Sequence, residues 1–441
     1  MDSKLSRRNF LRYSAVGAAG AMLLPSALVA APQTRARRGD ANDTITLGFI
    51  GLGQQTMFLL RGFLRLPNVR IVAGSDVYEI KRQRFEKRLK DHYAEQKQRV
   101  DVKTYHNYED ILARPDIDGV VIATPDHWHA IIAIAAARAG KDIYLEKPLT
   151  FTIYEGQQLI EAVRANARIL QVGSQQRSAA EFLHFADFVR TGKLGKVSRV
   201  KAYVGSPAPP QPYTLPAQPV PAGLDWDRWL GPLPGNIHYN ERINPPISLD
   251  PVVNESYWAE WRYNEGLGGG LMTDWGAHMF DIAQWAIGKD RSGPVEIIPP
   301  GVGWHEFLTF NYDNGIVMTQ ESYGGRGQGV KIWGDNGWIS VRRGGVDASD
   351  PSFLMPPREE RSEMFETMPA HYETFVNSMR SRRDPNCPVE IGHSTCTVCN
   401  LGNLATKLGR QLNWNPIVEQ FVDDPEATRM MRYQYRAPYT L

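Results

Sequence analysis

The chain has 441 residues, 42% hydrophobic and 22% charged, with a formal net charge of +2. That length exceeds one ordinary core, so two domains plus extensions are expected, and the composition is that of a soluble globular protein. Seven Lys/Arg and two Asp lie within residues 1–40, which leaves the rest of the chain at −3 and argues against a nucleic-acid-binding surface.

The N-terminus reads Ser6-Arg7-Arg8-Asn9-Phe10-Leu11-Arg12, and a modest apolar run from Ala15 to Ala31 follows, broken by Pro25. The run is too short and too rich in Gly and Ala for a comfortable membrane span. A basic start, an apolar middle and small residues at the end describe an export signal, and the paired arginines before Phe10-Leu11 resemble a twin-arginine signal. Residues 1–40 are therefore assigned to signal and linker, the export machinery is an expected partner, and the expected location is the periplasm. Leu28 and Pro32 leave the cleavage point open, so an uncleaved membrane anchor remains an alternative. Cys387, Cys396 and Cys399 are too few for a disulfide framework. Cys396-Thr-Val-Cys399, with His393 before it, is read as small buried helix residues, and no metal is expected.

Residues 44–50 form an apolar run of strand length, followed by Gly51-Leu-Gly53-Gln54-Gln55-Thr56 and a helical pattern. Strand, glycine turn and helix are the context of the dinucleotide fingerprint. Gly51 makes the tight turn, and Gly53 lets the backbone reach a pyrophosphate at the helix N-terminus. Thr56 replaces the third glycine and is expected to loosen helix–strand packing. A second strand, Val69–Ser75, ends at Asp76, 23 residues after Gly53, where a carboxylate holds adenosine ribose hydroxyls. Asp76 repels a 2′-phosphate and favours NAD; Lys81 and Arg82 keep NADP open. The helix from about Glu79 to Lys97 presents a solvated charged face. A strand near Val102–Tyr105, a helix near Tyr108–Leu112 and a strand at 117–123 precede Thr124-Pro125-Asp126-His127-Trp128-His129. A further helix leads to the short strand Asp142–Leu145 and then Glu146-Lys147-Pro148. Four successive strand ends thus carry ligand-capable residues along one edge of a parallel sheet, which argues for a dinucleotide site.

A glycine turn, then T-P-x-x-x-H, then A-G-K-x-x-x-x-E-K-P resembles the glucose–fructose oxidoreductase / inositol dehydrogenase / rhizopine catabolism family, over about residues 44–441. The resemblance implies an α/β fold: an N-terminal Rossmann domain (41–172) with a doubly wound parallel sheet, then a C-terminal domain (173–411) with an open, mainly antiparallel sheet, and a tail (412–441). It implies that Gly51, Gly53, Gln54, Gln55, Asp76, Thr124, Pro125, His129, Glu146 and Lys147 bind NAD(P). It places Lys147 beside nicotinamide and substrate hydroxyl, in a Lys-Pro peptide that is often cis. Arg177, in the polar turn after the strand at 169–172, becomes a candidate sugar ligand.

Residues 206–222 hold seven prolines and cannot be ladder strand. Trp226, Trp229, Tyr257, Trp258 and Trp261 follow; such faces stack on sugar rings as well as filling cores, and Trp229 is taken as a candidate sugar contact. After Gly266-Leu-Gly268-Gly269-Gly270 a helical pattern sets Trp275, Met279, Ile282 and Ala286 on an apolar face and Asp274, His278 and Asp281 on a polar one. The glycines allow close backbone approach, and an Asp and a His one turn apart can orient each other for proton transfer. G-G-G-x-x-x-D-x-G-x-H is also the second motif of the resembled family, which sets Asp274 and His278 across the substrate from Lys147. Residues 301–342 read as a hairpin-rich sheet with turns at 311–315 and 334–337, which the resemblance makes a subunit interface of a homo-oligomer, a dimer or tetramer. Helices near 371–380 and 392–412 are expected to close the second domain.

The expected function is an NAD(P)-dependent oxidoreductase acting on a hydroxyl carbon of a sugar or glycoside, with Lys147, His278 and Asp274 as catalytic residues. Export implies tightly bound NAD that is regenerated within the cycle. One alternative is a redox-neutral, NAD-dependent glycosidase working by oxidation, elimination and reduction; the other is a non-catalytic, NAD-loaded sugar-binding protein.

Overall fold

The computed structural model describes residues 44–249, 258–355 and 369–441; the export signal and Tyr257 lie outside the described residues. The first sheet is parallel and six-stranded, in the order β3-β2-β1-β4-β5-β6. Its strands are β1 (Ile45–Ile50), β2 (Val69–Ser75), β3 (Lys103–Tyr105), β4 (Gly119–Ile122), β5 (Asp142–Leu145) and β6 (Leu170–Val172). The crossover helices are α1 (Gln54–Phe63), α2 (Glu79–Glu95), α3 (Tyr108–Leu112), α4 (Asp126–Arg138) and α5 (Ile153–Ala165). β4 and β5 are buried at every position, as expected for strands covered by helices on both faces. The order runs outward from β1 one way and from β4 the other, so a crevice opens between their carboxyl ends, where such sheets bind ligands.

The glycine turn after β1 is tighter than its sequence suggests. Thr56 is fully buried, and its hydroxyl donates to the Gly51 carbonyl. The expected loosening is replaced by a side-chain tie that fixes the turn.

After α6 (Ala180–Arg190), a nine-stranded sheet is ordered β13-β12-β11-β7-β10-β9-β8-β14-β15, from β7 (Arg199–Tyr203) through β8 (Glu296–Ile298), β9 (Leu308–Asn311), β10 (Val317–Gln320), β11 (Gly329–Gly334), β12 (Gly337–Arg342), β13 (Gly345–Ala348) and β14 (Leu412–Asn415) to β15 (Gln420–Phe421). Its pairings are antiparallel apart from β7 with β10. Between β7 and β8 lie α7 (Trp226–Leu230), α8 (Gly270–Asp274) and α9 (Gly276–Ala286). The core of this domain joins Phe182 and Phe185 of α6, Met279 and Phe280 of α9, and Phe310 of β9. The long segment after β7 makes a core of its own: Leu224, Trp229, Leu233, Tyr239, Ile243 and Trp261 pack together against Tyr78, two residues beyond Asp76.

Helices α10 (Pro369–Ser381) and α11 (Val389–Leu408) do more than close the second domain. Tyr372, Phe375, Val376 and Met379 form an i, i+3, i+4, i+7 stripe that fills the first sheet's core with Phe63 and Tyr144. The Phe63 and Tyr372 rings are 4.8 Å apart. Gly62 provides the seat, since a Cβ there would sit 2.1 Å from the Tyr372 ring. On α11, Cys396 faces the first domain's core and Cys399 the second's, and all three cysteines are buried free thiols. Among the described residues, no helix is long and apolar enough to cross a membrane, and no group of three His, Cys, Asp or Glu is arranged to hold a metal ion.

Candidate active site

A cavity of about 480 Å³ runs along the carboxyl edge of the first sheet, from Asp76 at one end to His278 at the other. Gly51, Gly53, Gln54, Gln55, Asp76, Thr124, Pro125, Glu146, Lys147, Trp229, Asp274 and His278 all line it.

At the cofactor edge the backbone does most of the shaping. Gly51 has φ +82°, and a Cβ there would meet the Thr124 backbone nitrogen at 2.7 Å, so only glycine fits. Above Gly53 nothing lies within 4 Å of a built Cβ, which leaves space at the α1 N-terminus. Gly53 is the N-cap and no side chain caps the helix, so its first amides and positive dipole end are left for a ligand. Asp76 is fixed by two backbone amides, Leu52 N–H at 2.8 Å and Tyr78 N–H at 2.9 Å. Both polar atoms of the Gln54 amide, and the Thr124 hydroxyl, are buried without a hydrogen-bond partner. Buried polar groups without partners are costly, and the hydroxyl, phosphate and carboxamide groups of a bound dinucleotide would supply them. The residues present fit a nicotinamide dinucleotide.

At the opposite end the Lys147–Pro148 peptide is cis. Lys147 Nζ donates to Asp274 Oδ1 at 2.8 Å and to the Asp274 carbonyl at 3.2 Å. Burial pushes the Asp274 carboxyl up, but Lys147 and Arg262 beside it outweigh burial and hold it below the usual carboxylate value. Glu146 accepts from Gln55 and Gln175, at 3.1 Å and 3.0 Å, and burial raises its pKa against the pull of Lys147. His278 is held well below the usual imidazole value, first by burial and then by the charges of Lys147 and Arg343. The imidazole is therefore neutral at physiological pH. Arg343 Nη2 lies 3.3 Å from His278 Nε2, and its guanidinium lies over the Trp275 ring at 4.6 Å. Arg262 lies over Trp258 and Trp261, and its Nε is 3.7 Å from Asp274 Oδ1. Trp258 in turn stacks on Phe58 of α1.

Two expected ligands lie elsewhere. Arg177 is 4% exposed and does not line the cavity. Its Nε and Nη2 donate to Asp281 and Nη2 also donates to Asp290, at 2.7–3.0 Å. A buried guanidinium needs carboxylates, and Asp281, expected beside Asp274 and His278, is taken up this way. His129 does not line the cavity either. Its ring nitrogens lie 2.8 Å from the Pro148 carbonyl and 3.0 Å from the Thr124 carbonyl, so it fastens the end of β4 to the cis-proline turn after β5. The glycines before α8 also admit the chain's own backbone: a Cβ on Gly270 would meet Pro210 N at 2.5 Å, and one on Gly268 would meet Arg262 Cα at 2.5 Å.

Arg262, Arg343, Asp126 and Trp275 enter the cavity without having been singled out from sequence. Trp275 falls in the break between α8 and α9; it packs against the second domain's core, as the periodicity predicts, and also lines the cavity. Asp126 is buried in the first turn of α4, and burial raises it to about 8 against Arg262 and Lys147. Arg343 occupies the turn between β12 and β13 and has no local sequence signal.

This fold and edge define an NAD-binding α/β oxidoreductase with a substrate end roofed by a second domain. Residues 45–174 match the oxidoreductase family's NAD-binding Rossmann fold, residues 211–441 match its C-terminal alpha/beta domain, and residues 4–23 match a twin-arginine translocation pathway signal sequence. The chain belongs to the Gfo/Idh/MocA oxidoreductase family. It is 31% identical over 327 residues to the uncharacterized oxidoreductase YrbE of Bacillus subtilis (strain 168), covering 70% of this chain and 78% of that one. It is 29% identical over 207 residues to a glycosyl hydrolase family 109 protein of Shewanella baltica (strain OS185), and the match spans only 44% of the length of each. The fold is similar to that of the WlbA dehydrogenase from Bordetella pertussis, solved in complex with NADH and UDP-GlcNAcA, with a TM-score of 0.58 at 17% identity over 85% of this chain and 98% of that one.

Proposed function

We propose that this chain is a periplasmic enzyme that oxidises a hydroxyl carbon of a sugar or glycoside using NAD that it does not release, the hydride then reducing a second sugar. The observation that carries this reading is the Lys147–Asp274 pair, 2.8 Å apart, in the same cavity as His278 and the glycine turn. NAD would be held by Gly51, Gly53, Gln54, Gln55, Asp76, Thr124, Pro125 and Glu146. Its nicotinamide supplies the hydride acceptor and, later in the cycle, the donor.

Lys147 Nζ donates to the reacting substrate oxygen and stabilises negative charge there. Asp274 holds the lysine in place. The hydroxyl proton passes to His278 Nε2, whose lone pair meets Arg343 in a long bond for which a substrate hydroxyl can compete. Trp258 and Trp275 offer apolar faces to the C–H edges of a sugar ring, whereas Trp229 stacks on Trp226 in the core behind Tyr78. The twin-arginine signal supports export with the cofactor already inserted, and outside the cytoplasm a released dinucleotide is lost.

A redox-neutral glycosidase cycle is favoured by one finding, the likeness to a glycosyl hydrolase family 109 protein. In that cycle, oxidation at C3 acidifies the neighbouring C–H, elimination expels the aglycone as an alcohol, water adds to the resulting unsaturated ketone, and the returned hydride reduces the ketone. Native mass spectrometry of protein purified without added dinucleotide, followed by incubation with a glycoside panel, tests both. Bound NAD with keto-sugar or cleaved-glycoside products is expected. Protein that needs millimolar NAD in solution sinks internal recycling, and bound NAD without turnover of any glycoside leaves a binding protein.

A further inference from the structure

The adenosine end of the cavity is walled on two sides by different parts of the chain. One side is the end of β2 and the start of α2. The other belongs to the segment between β7 and α8, which in sequence is part of the second domain. Just beyond Asp76 the two pair as strands do: Tyr78 and Leu224 form an antiparallel bridge, Glu79 N–H donates to the Gly223 carbonyl at 2.9 Å, and Asp225 N–H donates to the Val77 carbonyl at 3.1 Å. Lys81 Nζ donates to Asn244 Oδ1 at 3.0 Å, and both residues line the cavity. A separate apolar core, with Tyr78 and Leu224 in it, backs this seam. The contact is thus built from backbone bonds, a partly buried polar pair and its own packing.

A second observation points to a ligand beneath the seam. Arg84 of α2 is 1% exposed and lines the same end of the cavity. Its Nε and Nη2 have no hydrogen-bond partner. A buried guanidinium edge without acceptors is costly, and the ring nitrogens and ribose oxygens of an adenosine provide acceptors.

We propose that residues 222–247 are a cofactor strap: second-domain chain that completes the adenosine end of the dinucleotide site and sets how fast the dinucleotide leaves. This rests on the reading of a retained NAD, and it adds what retains it. Release requires parting the seam, so loosening it acts on the dissociation rate, where differences between related complexes mostly reside.

The test uses the full chain loaded with NADH, mixed with excess NAD, with release followed by NADH fluorescence. Asn244→Ala, which strips Lys81 of its acceptor, and Asp225→Ala, which removes the carboxylate that lies 3.1 Å from His106 Nε2 and caps α7, should speed release by about tenfold or more. A Tyr78→Cys/Leu224→Cys protein provides a second handle should those variants fold poorly: when oxidised across the bridge it should release more slowly than wild type, and reductant should restore the rate. Wild type that holds NADH tightly while all three variants release at the wild-type rate overturns the strap and leaves the function standing. Wild type that releases NADH within seconds overturns both.

Discussion

The two ends of the cavity are built by opposite means. At the cofactor edge the chain contributes mainly backbone: a glycine turn with φ +82°, an uncapped helix start, and a carboxylate pinned by two amides within three residues of a strand end. At the substrate end it contributes side chains from distant places, since Lys147 meets Asp274 across 127 positions and His278 meets Arg343 across 65. The first end follows from local folding, while the second exists only once both domains have met. Substitutions at the substrate end should therefore change chemistry while leaving the dinucleotide bound.

The largest expected effect is at Lys147. Lys147→Ala should lower turnover by about three orders of magnitude while NADH binding, read by fluorescence, persists. Lost binding in a folded variant would break the division between the two ends. Next is Arg177→Met, which leaves the buried Asp281 without its cation and should cost about 3 kcal/mol in denaturant unfolding. The folded fraction should keep a normal KM, because Arg177 lies outside the cavity; a raised KM with normal stability would return it to the substrate.

Smaller is the effect of Arg343→Ala. If His278 is the neutral base proposed above, activity should be lost as pH falls through its pKa. Removing a neighbouring positive charge raises that pKa, and the acid limb of the kcat/KM profile should move to higher pH. An unmoved limb would mean that Arg343 does not act through His278. The smallest concerns Asp126, whose native carboxyl keeps its proton to about 8 while the unfolded chain releases it near the ordinary carboxylate value of about 3.9. The stabilisation from that tightly held proton is full at acid pH and is lost as pH rises toward 8. Asp126→Asn, which cannot ionise, should flatten the fall in Tm over about pH 4–8.

Much of the fold was legible because apolar runs ending in Gly51, Asp76, Thr124 and Glu146 each carry their own strand, turn and helix signals. Asp274 and His278 were legible because one helical pattern holds both. Arg343 and Arg262 were not, since a turn arginine reads the same whether it faces solvent or a cavity. Arg177 and His129 show the converse: their residue types suit ligand binding, but nearby carboxylates and carbonyls satisfy them first. Thr56 misled for a related reason, because its hydroxyl makes a bond that the lost glycine could not.

Helices α10 and α11 carry one more consequence. Tyr372, Phe375, Val376 and Met379 lie in the core of the first domain, and so do Cys387, Val389, Ile391 and Cys396. As the chain emerges from the ribosome, the cofactor domain waits for residues made some 200 positions after its last strand, β6. Its interior is completed only when nearly the whole polypeptide has been synthesised. A prematurely terminated product therefore carries the export address without a finished cofactor fold behind it.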